Sequence, residues 1–135
     1  MGELAVTDPL IVLIAEDEPL MQGIVEENLR EGGFDVAMAP SGEEAVILLK
    51  SRQIAYRGLI TDINLIGKVD GWELARAARE IHPEIPVVYM TGAAADQWAS
   101  RGVPNSILLQ KPFAPAQLIT AISQLMNAAP PREDG

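Results

Sequence analysis

The sequence contains no cysteine and few aromatic residues: two Trp, two Tyr and two Phe among 135 residues. Without cysteine, disulfide bonds, thiolate catalysis and thiolate-ligated zinc sites are excluded. With so few aromatic rings, we expect a core built from Leu, Ile, Val, Ala and Met. Basic residues are also scarce, since 10 Lys and Arg stand against 19 Asp and Glu, for a net charge of −9. Nucleic acid and anionic membrane surfaces bind to a positive field, so this charge argues against both as partners.

Long apolar runs are absent too. No run approaches the roughly 18 apolar residues of a membrane-spanning helix, and residues 1–8 lack the basic and apolar regions of a secretory signal. We therefore expect a cytoplasmic protein. Hydrophobic residues make up 48% of the chain and charged residues 21%, which is typical of a globular domain with a buried core. We place one domain at residues 9–128, after a lead of residues 1–8 and before a loose, proline-containing tail of residues 129–135.

Five short apolar runs alternate along the chain with five segments of helical periodicity. Four of the runs lack strict alternation, as strands covered on both faces do, whereas residues 34–38 alternate as in a half-exposed strand. This order predicts an α/β fold with one doubly wound, five-stranded parallel sheet flanked by five helices. Because the half-exposed second strand suits an edge, we expect the flavodoxin-like strand order 2-1-3-4-5. Ser41, followed by Glu44 three residues on, predicts a capping box at the second helix.

Polar residues follow the predicted strands at the point where each strand ends. Glu16 and Asp17 follow the first strand and Asp62 ends the third, while Thr91 ends the fourth and Lys111 follows the fifth. The carboxyl ends of parallel strands lie at one edge of the sheet, which is where open α/β sheets bind ligands. Since strand 1 lies beside strand 3 in the predicted order, the three acids are expected to share one crevice.

Three carboxylates in one crevice repel each other strongly. Each pair at about 4 Å costs on the order of 4 kcal/mol at an effective dielectric near 20, and one lysine cannot neutralise three acids. Either a carboxylate keeps its proton through a raised pKa, or a hard divalent cation such as Mg²⁺ lies among them. A metal, an ammonium and a hydroxyl together suit a phosphoryl group as ligand. Asp62 is the best candidate for a nucleophile that forms an aspartyl phosphate, and Glu16 and Asp17 suit metal binding.

The chain resembles the response-regulator receiver domains of two-component signalling, in a stand-alone form similar to the chemotaxis regulators. The resemblance spans nearly all of residues 10–127 and rests on an ordered set at family-like spacing: Glu16-Asp17, Asp62, Thr91 and Lys111-Pro112-Phe113. It implies that Asp62 accepts a phosphoryl group from a sensor histidine kinase or a histidine phosphotransfer protein. It further implies a signalling module that docks on a downstream protein when phosphorylated, and not an enzyme with an outside substrate.

The resemblance also assigns roles to the residues around the phosphoacceptor. The three acids would bind Mg²⁺, and Asn64 would contribute its backbone carbonyl to the metal. Thr91 and Lys111 would contact the phosphoryl group. The resemblance also implies that the peptide bond between Lys111 and Pro112 is of a kind that is often cis in this family.

Some positions depart from the family pattern. Leu108 lies three residues before Lys111, where many receivers carry a Tyr or Phe that rotates as a switch, so the chain resembles a variant subgroup without that aromatic residue. Ile66 lies four residues after Asp62, where the family frequently has proline. The loop that carries Ile66 is also slightly longer before Gly71.

Two other functions are compatible with the sequence. A Mg²⁺-dependent phosphohydrolase with an aspartyl nucleophile usually has a second acid two residues further on, where this chain has Asn64, and the chain is short for a cap domain. A non-phosphorylated interaction domain of the same fold is compatible with Leu108. We expect a stand-alone receiver, although the sequence equally fits a piece of a longer regulator.

Overall fold

The computed structural model describes residues 10–128, so the predicted lead of residues 1–8 and tail of residues 129–135 lie outside the described residues. Five parallel strands form one sheet in the order β2-β1-β3-β4-β5. The strands are β1 (Ile11–Ala15), β2 (Asp35–Ala39), β3 (Gly58–Asp62), β4 (Val87–Thr91) and β5 (Ser106–Gln110). The helices are α1 (Pro19–Glu31), α2 (Gly42–Ser51), α3 (Gly71–Ile81), α4 (Trp98–Arg101) and α5 (Pro115–Ala128), and a single 3-10 turn (Ala95–Gln97) precedes α4. The predicted α/β fold and flavodoxin-like strand order are confirmed.

The core consists of two apolar layers, one on each face of the sheet. Successive side chains along a strand point to opposite faces, so Leu13, Leu59 and Tyr89 pack with residues of α2 and α3. On the other face, Ile14 and Ile60 pack with residues of α1 and α5. Because helices cover both faces, inner strands can be apolar without alternation, and every residue of β3 and β4 is buried.

The two outer strands are less buried than the inner ones. In β2, Asp35 is exposed and the next three residues are half-buried, as expected for the predicted edge strand. β5 forms the opposite edge, with four half-buried residues followed by exposed Gln110. The strands β1 and β3 are neighbours inside the sheet, and their carboxyl ends lie side by side at one edge of it.

Side-chain caps mark the first residues of α2 and α3. The Ser41 hydroxyl accepts the Glu44 N–H at 3.1 Å, as predicted. The exposed Glu44 carboxylate, however, accepts a long bond of 3.4 Å from that same hydroxyl, so half of the predicted capping box is formed. A complete capping box, which was not predicted, begins α3: Asp70 accepts the Glu73 N–H at 2.9 Å, and Glu73 accepts the Asp70 N–H at 3.2 Å.

The segment between β4 and β5 is short, since α4 has four residues. Trp98, the first of them, is partly exposed, and its indole N–H donates to the Ser106 hydroxyl at 3.0 Å. Trp72 of α3 is instead buried against Tyr89, with ring centroids 4.8 Å apart. The β4 strand is thereby packed tightly on the α3 side of the sheet.

Within residues 10–128, no helix combines the length and apolar composition needed to cross a bilayer. The α5 helix has 14 residues, whereas a membrane-spanning helix needs about 20 apolar residues.

Candidate functional site

Three carboxylates meet at the carboxyl ends of β1 and β3. The parallel register pairs Ala15 with Thr61, so the residues that follow, Glu16 and Asp62, lie side by side. One oxygen from each of Glu16, Asp17 and Asp62 can be chosen so that all three lie within 4.8 Å of one another. The structure thus brings together the three acids that the strand order predicted to share a crevice.

Glu16 is the most buried member of this cluster. One of its carboxylate oxygens accepts the Glu18 N–H at 3.1 Å, while Oε1 is buried without a hydrogen-bond partner. Burial is the main reason why the pKa of Glu16 is raised from 4.5 to about 6, and the neighbouring charge of Asp62 adds to the rise. The Glu18 N–H and the Lys111 ammonium oppose it. Burial thus favours the protonated form of Glu16 over its form in water, and a cation near the carboxylate would oppose this effect.

Asp62 ends β3, and its side chain is 12% exposed at the mouth of the crevice. Its Oδ2 accepts a hydrogen bond from the Lys111 ammonium at 3.3 Å. Burial raises the pKa of Asp62, and the Lys111 charge and hydrogen bond act in the opposite direction. Asp62 therefore offers a carboxylate that is mostly shielded from water yet reachable from the crevice.

Asp17 is partly exposed and is held from the loop between β3 and α3. Its Oδ2 accepts the backbone N–H of Ile66 at 2.9 Å, a contact that was not predicted. Asn64 lies in the same loop, two residues after Asp62, and is exposed. The loop after β3 thus adjoins the cluster at both Asp17 and Asp62.

Thr91 ends β4 as predicted and is fully buried. Its hydroxyl oxygen accepts the N–H groups of Ala93 at 3.1 Å and Ala94 at 2.8 Å. These bonds tie Thr91 to the first residues after β4. A hydroxyl also carries one donor proton, and these two bonds leave that proton of Thr91 unused.

Lys111 follows β5 and reaches across the sheet edge to the acids. Its ammonium lies 3.3 Å from Asp62 Oδ2 and 3.8 Å from Glu16 Oε1. Its backbone N–H donates to the Thr91 carbonyl at 2.7 Å, which fixes the residue beside β4. The Lys111–Pro112 peptide bond is cis, as the family resemblance predicted.

The donor set fits a small, hard divalent cation. Three carboxylates face one ammonium here, so the cluster keeps a negative charge when all three acids are ionised. The buried Glu16 Oε1, which has no hydrogen-bond partner and only a long ion pair with Lys111, is the kind of group that a metal ion or a proton satisfies. Carboxylate and carbonyl oxygens are the ligands that Mg²⁺ prefers.

Glu43, on the first turn of α2, is a residue near the site that sequence reasoning missed. Its carboxylate accepts the Lys68 N–H at 2.8 Å and so contacts the loop that also carries Ile66. The sequence carries no signal for this contact, because an acid in the first turn of a helix is expected for the helix dipole alone.

An apolar groove of about 550 Å³ adjoins Lys111 between α1 and α5. Its lining includes Met21, Ile24, Asn28, Phe113 and Leu118. Lys111 lines this groove and also contacts Asp62 and Glu16, so the groove and the acidic crevice adjoin each other at Lys111.

Comparison with known proteins gives relatives of the same architecture. The family model described as the response regulator receiver domain matches residues 12–123. The response regulator receiver protein CpdR of Brucella abortus (strain 2308) is 32% identical over 123 residues, which cover 87% of this chain and 98% of that protein.

Solved structures agree with the family model. A response regulator receiver protein from Sinorhizobium medicae WSM419 is 49% identical with a TM-score of 0.87, and the match covers 90% of this chain and 97% of that one. The receiver domain of the sensor histidine kinase PA1611 from Pseudomonas aeruginosa PAO1 has a magnesium ion coordinated in its active-site cleft. At 24% identity and a TM-score of 0.77, covering 90% of this chain and 100% of that one, it shows likeness of fold. From its fold, its cluster of acids and these matches, the chain belongs to the response regulator receiver domains of two-component systems.

Proposed function

We propose that the protein accepts a phosphoryl group on Asp62 and signals through the resulting change of charge. The observation that carries this proposal is the position of the Asp62 carboxylate, 3.3 Å from the Lys111 ammonium and within one cluster with Glu16 and Asp17. A nucleophile, a cation and candidate metal ligands thus lie around a single crevice. Membership of the receiver family supports the same assignment.

The proposed step is a phosphoryl transfer from a phosphohistidine to an aspartate. An Asp62 carboxylate oxygen attacks the phosphorus, a P–O bond forms, and the P–N bond breaks with its electron pair left on the imidazole nitrogen. Lys111 then pairs with one phosphoryl oxygen, and the Thr91 hydroxyl donates a hydrogen bond to another. The protein acts on its own side chain, which makes it a signalling module and not an enzyme with an outside substrate.

Mg²⁺ is the metal we assign to the site. Glu16, Asp17 and Asp62 would hold it with their carboxylates, and Asn64 with its backbone carbonyl. When bound, Mg²⁺ supplies positive charge that neutralises the phosphoryl oxygens. The buried oxygen of Glu16 that has no hydrogen-bond partner and the magnesium ion in the related receiver fold support this assignment.

We propose a sensor histidine kinase or a histidine phosphotransfer protein as the phosphodonor, meeting the protein in the cytoplasm. The donor histidine has to reach Asp62 through the mouth of the crevice. The apolar groove beside Lys111 adjoins that mouth, so we place the contact with the donor protein there. The net charge of −9 supports a downstream partner that is a protein, and neither nucleic acid nor a membrane.

The test is phosphorylation by a small acyl phosphate in the presence of Mg²⁺, followed by intact mass spectrometry. We expect the wild-type protein to gain one phosphoryl group, and Asp62→Asn to gain none because an amide cannot form the acyl phosphate. Asp96→Asn, which changes an exposed acid of the 3-10 turn, serves as the matched control and should label like the wild type. Labelling that persists in Asp62→Asn contradicts the assignment, and sustained turnover of phosphate esters points to the phosphohydrolase instead.

A further inference from the structure

The loop between β3 and α3 contacts the metal-site acids through a backbone group. The Ile66 N–H donates to Asp17 Oδ2 at 2.9 Å, while the Ile66 side chain is 71% exposed. The contribution of Ile66 to the site is therefore its N–H and not its side chain. Proline, which is frequent at this position in the family, has no N–H to donate, so this chain makes a contact that a proline could not make.

The same loop is anchored on α2 by Glu43. Its Oε2 accepts the Lys68 N–H at 2.8 Å, which also lowers the pKa of Glu43. The carboxylate lies directly against Gly67, since a Cβ there would lie 2.7 Å from both of its oxygens. Gly67 has a φ of +104°, a conformation that glycine adopts readily. The turn that follows Ile66 is thus shaped around the Glu43 carboxylate.

Asp17 needs the hydrogen bond from Ile66 because the neighbouring acids repel its carboxylate. That carboxylate lies in one cluster with those of Glu16 and Asp62, and like charges at this range favour rotation of the partly exposed Asp17 side chain towards water. A hydrogen bond from a fixed backbone donor opposes that rotation. The donor is fixed only if the loop is fixed, and Glu43 supplies the contact from outside the site.

We propose that Glu43 and the Ile66 N–H are positioning groups that hold the Asp17 carboxylate ready to bind the metal. Glu43 holds the Gly67–Lys68 turn, the turn holds the Ile66 N–H, and that N–H holds Asp17. This inference rests on the metal site of the proposed function and adds what keeps that site in order. Partners that orient a metal ligand change metal affinity by about 10- to 100-fold when removed.

The first test compares Ile66→Pro with Ile66→Ala by calorimetric titration with Mg²⁺. Ile66→Pro removes the N–H, and we expect its Mg²⁺ dissociation constant to rise about tenfold. Ile66→Ala keeps the N–H and removes an exposed side chain, so its dissociation constant should match that of the wild type. Equal Mg²⁺ affinity of the two variants would overturn the proposal.

The second test changes the anchor without touching the loop. We expect Glu43→Ala to bind Mg²⁺ about tenfold more weakly and to exchange the Lys68 and Ile66 amide protons faster in the metal-free state. Glu43→Gln keeps an oxygen that can accept the Lys68 N–H, so it should retain both affinity and amide protection. Glu44→Ala, which removes the neighbouring acid of the same helix turn, should leave both unchanged. Identical results for Glu43→Ala and Glu44→Ala would overturn the role of Glu43.

Wild-type Mg²⁺ binding and Asp62 labelling are measured alongside, and urea denaturation establishes that each variant is folded. If the wild type binds Mg²⁺ and labels normally while Ile66→Pro and Glu43→Ala behave like it, this inference fails and the proposed function stands. If the wild type itself does not bind Mg²⁺, both are overturned.

Discussion

At the scale of single residues, Lys111 balances two of the three acids that it faces. Its ammonium lies 3.3 Å from Asp62 and 3.8 Å from Glu16. A metal ion bound by the same carboxylates would be repelled by this ammonium, whereas an added phosphoryl group would supply negative charge for both cations.

We expect Lys111→Ala to keep the metal site and to bind Mg²⁺ roughly thirtyfold more tightly, because a unit charge at about 4 Å from a divalent cation repels it by about 2 kcal/mol in water. The phosphorylated variant should lose the structural response to phosphorylation, since Lys111 no longer pairs with the phosphoryl group. Calorimetry with Mg²⁺ measures the first effect, and amide chemical shifts before and after phosphorylation measure the second. Lys50→Ala, at an exposed position of α2, is the control, and weaker Mg²⁺ binding in Lys111→Ala would contradict the prediction.

The residues at the strand ends could be predicted, but their contacts could not. Glu16, Asp62 and Lys111 were found because an apolar run that stops at a polar group marks the carboxyl edge of a sheet. Glu43 was missed because it lies on an amphipathic helix, where an acid in the first turn is expected for the helix dipole alone. Its partner is a backbone N–H, and no residue type in the sequence indicates which N–H a distant carboxylate will meet.

At the scale of elements, the start of α3 lies against the end of β3. A Cβ on Gly71 would collide with the Asp62 carbonyl and would lie 2.7 Å from the Ile63 Cα. The Gly71 N–H donates to the Ile63 carbonyl at 2.8 Å, which closes the loop back onto the strand. This close approach brings α3 directly behind the proposed phosphoacceptor.

We expect Gly71→Ala to destabilise the protein by about 1–3 kcal/mol, the usual cost of forcing extra atoms into a packed site. The neighbouring atoms belong to the backbone and cannot move aside as a flexible side chain would. Gly23→Ala is the matched control, since open space surrounds a Cβ at that position of α1, and a gain of about 0.5–1 kcal/mol is expected there from helix propensity. Urea denaturation measures both, and equal stability of the two variants would show that the contact at Gly71 is unimportant.

The order of the elements was predictable, whereas the exact helix faces were less so. Alternation of apolar runs and helical periodicity predicted the parallel sheet, and the half-exposed second strand predicted the strand order and the central position of β1 and β3. In α3, Ala77 is half-buried, while Trp72 and Ala75 are buried. The ring of Trp72 packs against Tyr89 of β4, and such packing depends on a partner in another element.

At the scale of the whole molecule, the site lowers the stability of the metal-free fold. Burial raises the pKa of both Glu16 and Asp62, so the folded state favours their protonated forms. A group whose pKa is raised on folding contributes its full stability below its unfolded pKa and loses that contribution as pH rises through its folded pKa. Neutral pH thus leaves acids in the crevice ionised at the expense of stability.

We expect the metal-free protein to lose stability between pH 4.5 and about 6, the range over which the pKa of Glu16 is raised. A shift of this size corresponds to about 2 kcal/mol. Glu16→Gln removes the titrating group. The unfolding free energy of the wild type should therefore fall relative to that of the variant as the pH rises from 4.5 to about 6. Urea denaturation in a chelating buffer measures it, and Mg²⁺ should restore stability to the wild type at pH 7 because it binds the folded state. Parallel pH profiles of the two proteins would contradict the prediction.

The register of the two central strands has a consequence for folding. Glu16 and Asp62 face the same crevice only because Ala15 pairs with Thr61, and a slip of one residue would turn one of the acids to the opposite face of the sheet. A chain with β1 and β3 paired in a shifted register could not bring the three carboxylates together. Because an ion stabilises the state that binds it, the Mg²⁺ that we assign to signalling would also favour the correctly paired fold over a shifted one.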